Sequence, residues 1–410
     1  MTKMSARAAA IGLSFFTLPA LAQTRAEVIH WWTSGGESAA VKELADAYKA
    51  AGGTWVDSAV AGGEAARAQA INRIVGGTPS TAAQFNTSKQ FHDVIDGGLL
   101  NNVDEVAKKN DWDRLLPAPI LNAIKVKGHY YAVPVNIHMP AWFWYSKPAF
   151  AKAGIAAEPK TADEFFAALD KLKAAGVVPL ALGGQPWQEK LTFDALLAHV
   201  GGPQLYLKIY RDRDAKAVQS TEFKNVLVAF KRLKGYVDPG SAGRNWNDAT
   251  SMVISGKAGL QIMGDWAKGE FQAAKQTAGK EFGCFPGFGV KSPYIIAGDV
   301  FVFPKTTDPA AIKAQHLLAQ TFTSPATQVA FNNKKGSIPI RTDVDASKMD
   351  ICAQAGLQVM KDASRHLPNP EMLMSPDLNG VLQDIVTKYW NTAQSADDAV
   401  KAIASAIKGG

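Results

Sequence analysis

The sequence predicts two α/β lobes built on parallel sheets and joined by extended crossings. Three observations predict it. Strand-like apolar runs alternate with amphipathic helical periods from Val28 to Leu100 and again from Glu164 to Lys275, the pattern of parallel strands with helical connections. Two longer segments, YYAVPVNIHMPAWFWY and SPYIIAGDVFVFPK, are extended, apolar and interrupted by Pro or Gly, as strands passing between lobes would be. And 410 residues suffice for two or three domains at roughly 150 residues each.

In chain order, the first 22 residues, MTKMSARAAAIGLSFFTLPALA, place Lys3 and Arg7 before an apolar run and end in Ala20-Leu21-Ala22. A positive start, a short apolar stretch and a small-x-small cleavage site form a secretory signal peptide, so export is expected. The run from Ala8 to Phe16 falls short of the ~20 apolar residues a membrane anchor needs, and no later segment is long and apolar enough to span a bilayer. VIHWW then reads as a strand, and SGGE opens a helix with Val41, Leu44, Ala45 and Tyr48 on one face. TWVDSAV is a second strand running into Ala61-Gly62-Gly63 and the helix EAARAQAINRIVGG; TAAQFN is a third, followed by the helical SKQFHDVIDGGLL. Further on, Thr161 and Glu164 have capping-box spacing ahead of EFFAALDKLKAAG, and VVPLALGG is the next strand. LTFDALLAHVGG, TEFKNVLVAFKRLKGY and DATSMVISG read as amphipathic helices, KAGLQIMG as a strand, and Asp265 as the cap of the helix WAKGEFQAAK. The last third is mostly helical and ends in DDAVKAIASAIKGG.

Composition excludes several functions. Hydrophobic residues make up 47% and charged residues 20%, ordinary for a globular protein with real cores. Without Lys3 and Arg7 the formal charge falls from +7 to +5. The basic residues are scattered, with Lys231, Arg232 and Lys234 the densest group, and no basic run interleaves with aromatics as a nucleic-acid groove requires. In an oxidising compartment Cys284 and Cys352 suggest a disulfide; the alternative is two separate buried thiols. Two cysteines and seven scattered histidines give no metal-ligand spacing, and no cofactor is expected.

Ligands of open α/β sheets bind beyond the carboxyl ends of the strands, so the strand-to-helix loops are where chemistry belongs. Four stand out: Trp31-Trp32-Thr33-Ser34-Gly35-Gly36-Glu37, Asn86-Thr87-Ser88-Lys89, Gly183-Gly184-Gln185-Pro186-Trp187-Gln188 and Gly264-Asp265-Trp266. Together they offer tryptophans, carboxylates, lysines and amides, which suits a carbohydrate: an indole covers the apolar face of a pyranose, and the polar groups meet its hydroxyls. Glu37 and Asp299 accept from hydroxyls and Lys89 and Lys335 donate, in short charge-assisted bonds. Asp299, alone in IIAGDVFVF, needs a partner. Asn136 and His138 lie on a crossing strand, where the histidine is either structural or a contact. Trp142 and Trp144, in AWFWY, read as packing. Trp31 and Trp32 lie where the first strand runs out, so one can serve as stacking platform and the other as wall. Glu37, Asp265 and Asp299 would have to supply the acid/base pair of a glycosidase, but nothing selects two of them, and no G-x-S-x-G, H-E-x-x-H, P-loop or nucleotide fingerprint is present. The expected protein is a binding protein and not an enzyme. A secreted carbohydrate-active enzyme and a receptor for a non-sugar solute such as a polyol are the alternatives.

HWWTSGGE, QFNTSKQF, YYAVPVNIHMPAWFWY, GGQPWQEK, GLQIMGDWAKGEF, AGDVFVFPK and NNKKGSIPIR, in this order behind the signal peptide, resemble the periplasmic sugar-binding proteins of bacterial ABC importers (extracellular solute-binding protein family 1), especially the glucose- and monosaccharide-binding branch. The resemblance implies a type II periplasmic binding-protein fold, two lobes with a hinge and several chain crossings, that encloses one sugar and docks on membrane permease subunits as a monomer. It implies crossings near Val133–Asn136, Ala297–Asp299 and Ile338–Arg341. The expected N-terminal lobe is then 23–135 with 298–340, and the C-terminal lobe 136–297 with 341–410, behind a signal peptide at 1–22. The resemblance carries ligand contact to Trp31, Trp32, Glu37, Lys89, Trp266, Asp299 and Lys335, the last with Lys334 beside it. The chain departs from the glucose-binding pattern at NPEMLMSPDL, where that branch has a sugar-contacting histidine and this sequence offers Glu371, Met372 and Met374. A sugar other than glucose, such as another epimer, a deoxy sugar or an amino sugar, then becomes the better fit.

Overall fold

The apolar run TRAEVIH forms the strand Thr24–His30, paired in parallel with Gly53–Ala59 on one side and Ala82–Asn86 on the other. Its residues Ala26, Val28 and Ile29 are buried, because helices cover the sheet as parallel strands require. The helix Gly35–Ala50 buries Ala40, Val41, Leu44, Ala45 and Tyr48, the face expected from its period. The computed structural model describes residues 24–409, so the expected signal peptide lies outside the described residues.

The sheets are mixed where wholly parallel ones were expected. Asp299–Pro304 joins the first sheet antiparallel to Ala82–Asn86, and pairs antiparallel with Ala132–Pro134 and Leu100–Asn101 as well. The second sheet runs Phe282–Phe285, Trp142–Ser146, Ala258–Met263, Val178–Ala181, and only the last two strands are parallel. Each antiparallel pair in these two sheets includes a strand from one of the two long extended segments. They enter a sheet directly from the other one, without a crossover helix to set a parallel direction. Three such passages lie side by side: Ile137 bridges Ile338, and His138 bridges Ala297.

Other elements differ locally. In SKQFHDVIDGGLL only His92–Asp96 is helical; Gly98, at φ 67°, ends the turn and Leu100 enters the sheet. LTFDALLAHVGG belongs to a helix that opens at Pro186 and widens into a π turn at Leu197–Gly201. The Thr161 hydroxyl accepts from the Glu164 N–H at 3.1 Å, but the Glu164 carboxylate accepts from the Lys160 N–H, so the box is half made. Asp265 is not a helix cap. The helix is Ala267–Ala273 without a side-chain cap, because the Asp265 carboxylate is engaged by His138 and the Met139 N–H. Trp142 and Trp144 are core residues.

Cys284 and Cys352 form a disulfide with their Cα atoms 6.1 Å apart, tying the strand Phe282–Phe285 to the helix Ile351–Met360. Among the described residues no helix is long and apolar enough to cross a membrane, and no cluster of His, Cys, Asp and Glu is arranged to hold a metal ion.

Candidate functional site

The carboxyl ends of both sheets open into one cavity of about 410 Å³ between the lobes. Trp31, Trp32, Glu37, Asn86, Asp299 and Lys335 line it on the side of the first sheet, and Trp187 and Trp266 on the side of the second, with His138 on the crossing strand. Nine of the eleven residues predicted from the sequence thus come together. Local chemistry explains several of these placements. Ser34 caps the helix Gly35–Ala50 and Glu37 completes the capping box, which anchors Glu37 at the cavity edge. At Gly264 a Cβ would lie 2.2 Å from the Trp266 ring; glycine lets the indole fold back over the end of its strand.

A chain of polar contacts runs along the cavity floor. Arg67 lies over the Trp31 ring at 5.4 Å and donates to Asn86 Oδ1 at 3.1 Å. Asn86 Nδ2 donates to Asp299 Oδ1 at 3.3 Å. Asp299 Oδ2 accepts from Asn136 Nδ2 at 2.9 Å and from His138 Nε2 at 2.7 Å, while His138 Nδ1 donates to Asp265 Oδ1 at 2.5 Å. Burial opposes a charge on His138, but the carboxylates on both its sides prevail and hold its pKa up to about 9. Burial likewise opposes ionisation of Asp299, and the His138 charge overcomes it, keeping that carboxyl below its ordinary value. Both groups are therefore charged at neutral pH.

Lys335 donates to Glu37 Oε1 at 3.3 Å and sits 5.7 Å over the Trp32 ring and 5.8 Å over that of Trp266. Lys335 is buried and Lys334 exposed, so the second lysine of the pair is the one in the site. Trp31 is partly exposed, whereas Trp32 packs against Phe301 and Phe331 as the wall. Trp266 meets the His138 edge at 5.1 Å and Trp187 at 6.3 Å.

Two predicted residues do not line the cavity. Asn136 is wholly buried behind Asp299; its side-chain oxygen accepts from the Asp299 N–H at 2.7 Å. Lys89 turns to the Leu373 carbonyl at 3.2 Å, and its N–H donates to the Glu371 carbonyl, so it holds the 369–374 segment. Of the three residues at the departure from the glucose-binding pattern, Glu371 lines the cavity, Met374 is core, and Met372 stays off the lining.

Sequence reasoning missed Glu64, Arg67, Lys190, Asp194 and Trp246, all of which line the cavity. Glu64 and Arg67 open the helix that follows Ala61-Gly62-Gly63, a strand-to-helix loop where the same rule would have found them. Lys190 and Asp194 pair at 2.7 Å one turn apart on the helix after the Trp187 loop, a spacing that reads as an ordinary helical ion pair. Aromatic faces on both sides, with fixed donors and acceptors between them, suit a ligand that is apolar on its faces and hydroxylated at its rim.

A family model for bacterial extracellular solute-binding proteins matches residues 32–329. A relative from Brucella suis named "Probable sugar-binding periplasmic protein" is 38% identical over 394 residues, covering 93% of this chain and 91% of its own. One of the same name from Mesorhizobium japonicum is 39% identical over 408 residues, covering 97% of each chain. Among solved structures, a chitin oligosaccharide binding protein matches with a TM-score of 0.80 at 20% identity, over 94% of this chain and 98% of that one. Maltose-bound MalE3 of T. maritima matches with a TM-score of 0.79 at 19% identity, over 94% and 99%. At these identities the likeness to solved structures is one of fold.

Proposed function

The chain belongs to the bacterial extracellular solute-binding protein family, with its two-lobed type II fold, and from that premise we propose that it is a periplasmic receptor that encloses a sugar between its lobes and delivers it to the membrane permease subunits of an ABC importer. The relatives named as sugar-binding support the ligand class. The observation that carries the reading is the setting of Asp299, a buried carboxylate held ionised at the cavity floor between tryptophans of opposite lobes. It accepts from hydroxyls while Trp31 and Trp266 cover the ring faces. A hexopyranose, glucose or a close relative, is the proposed ligand, bound by a monomer.

Closure follows from contacts that only the closed state makes. Glu270, in the helix Ala267–Ala273, accepts from the Ser34 hydroxyl at 2.7 Å and from the Gly36 N–H at 2.8 Å, joining the lobes beside the cleft. A ligand touching both walls adds to these and shifts the population towards closure. The relatives named as sugar-binding proteins support a receptor rather than an enzyme.

The test is intrinsic tryptophan fluorescence of the mature protein titrated with glucose, galactose, mannose, xylose, maltose and a polyol, with calorimetry on each hit. Saturable binding of a hexose near micromolar, about −8 kcal/mol, is expected. Asp299→Asn should weaken it by about tenfold or more, the loss of a charge-assisted bond, and Trp266→Ala should also weaken it. No binding across the panel, or turnover of a glycoside, refutes the reading.

A further inference from the structure

Five carboxylates line the cleft, Glu37, Glu64, Asp194, Asp299 and Glu371, against four cations, Arg67, Lys190, Lys335 and the charged His138. Three acids have a cation of their own: Glu37 has Lys335 at 3.3 Å, Asp194 has Lys190 at 2.7 Å, and Asp299 has His138 at 2.7 Å. The fourth cation, Arg67, is taken by Asn86 and the Trp31 face. Glu64 is exposed to solvent, and Gln383 donates to it at 3.5 Å. Glu371 remains: among the described residues no hydrogen bond or ion pair reaches its carboxylate, although it is only partly exposed and lines the cavity.

Its backbone, in contrast, is held from both sides. The Glu371 N–H donates to Asn369 Oδ1 at 3.0 Å and its carbonyl accepts from the Lys89 N–H at 3.3 Å. A carboxylate fixed in place at a cavity wall and left without a partner is costly. Burial pushes this carboxyl up and outweighs the Arg67 and Lys190 charges that act the other way. A cationic ligand group beside Glu371 would offset that burial, favour the ionised carboxylate and pair with it, leaving the acids and cations of the cleft equal in number.

We propose that the sugar carries an ammonium group, as an amino-substituted hexose does, and that Glu371 is the side chain that reads it. This rests on the sugar-receptor reading. A hydroxyl's bond to the carboxylate is already charge-assisted but leaves the negative charge uncompensated, whereas an ammonium adds the attraction of an opposite charge.

The test is calorimetry of the full mature protein with glucosamine, galactosamine and mannosamine, each against its parent hexose and its N-acetyl derivative, for the wild type and Glu371→Gln. The variant keeps the shape of the side chain, removes its charge and exchanges one accepting oxygen for an NH2 donor; its thermal melt shows that it folds. At least one amine should bind about tenfold or more tighter than its parent hexose and than its uncharged N-acetyl form, and Glu371→Gln should bring that ratio to within about twofold. Parent hexoses binding as tightly as the amines, or a ratio unchanged in Glu371→Gln, overturns the proposal while leaving the sugar receptor intact. No binding of any of these sugars overturns both.

Discussion

Replacing His138 with Gln tests the charge network beneath the cleft. In the native protein this buried imidazolium donates to Asp265 on one side and Asp299 on the other. Its pKa stands at about 9 against an ordinary 6.5, a displacement equivalent to about 3 kcal/mol of folding free energy at ~1.36 kcal/mol per pH unit. The pKa is raised on folding, so the contribution is fully present below the unfolded value of 6.5 and is lost as pH rises through about 9. Asp299 acts in the opposite sense: its folded pKa is lowered, so its contribution is present above the ordinary 3.8 and fails only on acidification below that. Urea unfolding of ligand-free wild type and His138→Gln, at about pH 6 and about pH 9.5, reads the histidine together with the two carboxylates it contacts, since titrations elsewhere cancel in the difference. The wild type should be more stable by about 3 kcal/mol at the lower pH, and most of that advantage should vanish at the higher one. Parallel pH profiles would show that His138 is neutral in the fold, and the assignment of an ionised pair would fall.

Other perturbations give distinct readouts. Cys284→Ser with Cys352→Ser opens a link between residues 68 positions apart and should cost about 4 kcal/mol, visible as a lowered melting temperature that reductant reproduces in the wild type. Gly36→Ala would place a methyl 2.5 Å from the Gly269 carbonyl carbon; the helices Gly35–Ala50 and Ala267–Ala273 must part, costing about 1–3 kcal/mol. Small-angle scattering should then find a larger radius of gyration and calorimetry a weaker sugar affinity; an unchanged affinity would show that this crossing takes no part in closure. Asp265→Asn removes a carboxylate that does not line the cavity, yet it should weaken sugar binding several-fold by loosening His138 and, through it, Asp299. Unaltered binding would mean that Asp265 takes no part in placing Asp299.

What the sequence disclosed tracks the distance over which each residue finds its partner. Glu37 and the leading tryptophans were legible because they stand in the loop where the first strand gives way to its helix. Asp299 stood out as a lone carboxylate in an apolar run. Asp265 was misread for the same reason: its position fits a local helix cap, while the partner that claims it, His138, lies 127 residues away. Lys89 turns from the cavity to a carbonyl 284 residues further on. The antiparallel strands, too, depend on where the chain returns from and not on the strand's own residues.

Charge pairing in the cleft follows one rule, and that rule separates the groups that position from those that bind. Every cation on the crossing and hinge side is bound to an acid or amide brought from elsewhere in the chain: Lys335 to Glu37 across 298 residues, and His138 to Asp299 across 161. Such pairs form only when the fold is complete, and removing one partner leaves a buried charge uncompensated. They therefore fix the geometry of Glu37 and Asp299 before ligand arrives, and a preorganised acceptor spends little of its binding energy on ordering itself. Glu371 is the exception in this set, with a constrained backbone and a free carboxylate. Of the five acids lining the cavity, three are neutralised by cations of the fold and Glu64 is exposed to solvent beside Gln383, which leaves Glu371 as the acid without a partner. On the proposed reading, the common contacts of the cleft set the general affinity for a sugar, and the wall at Glu371 sets which sugar is preferred.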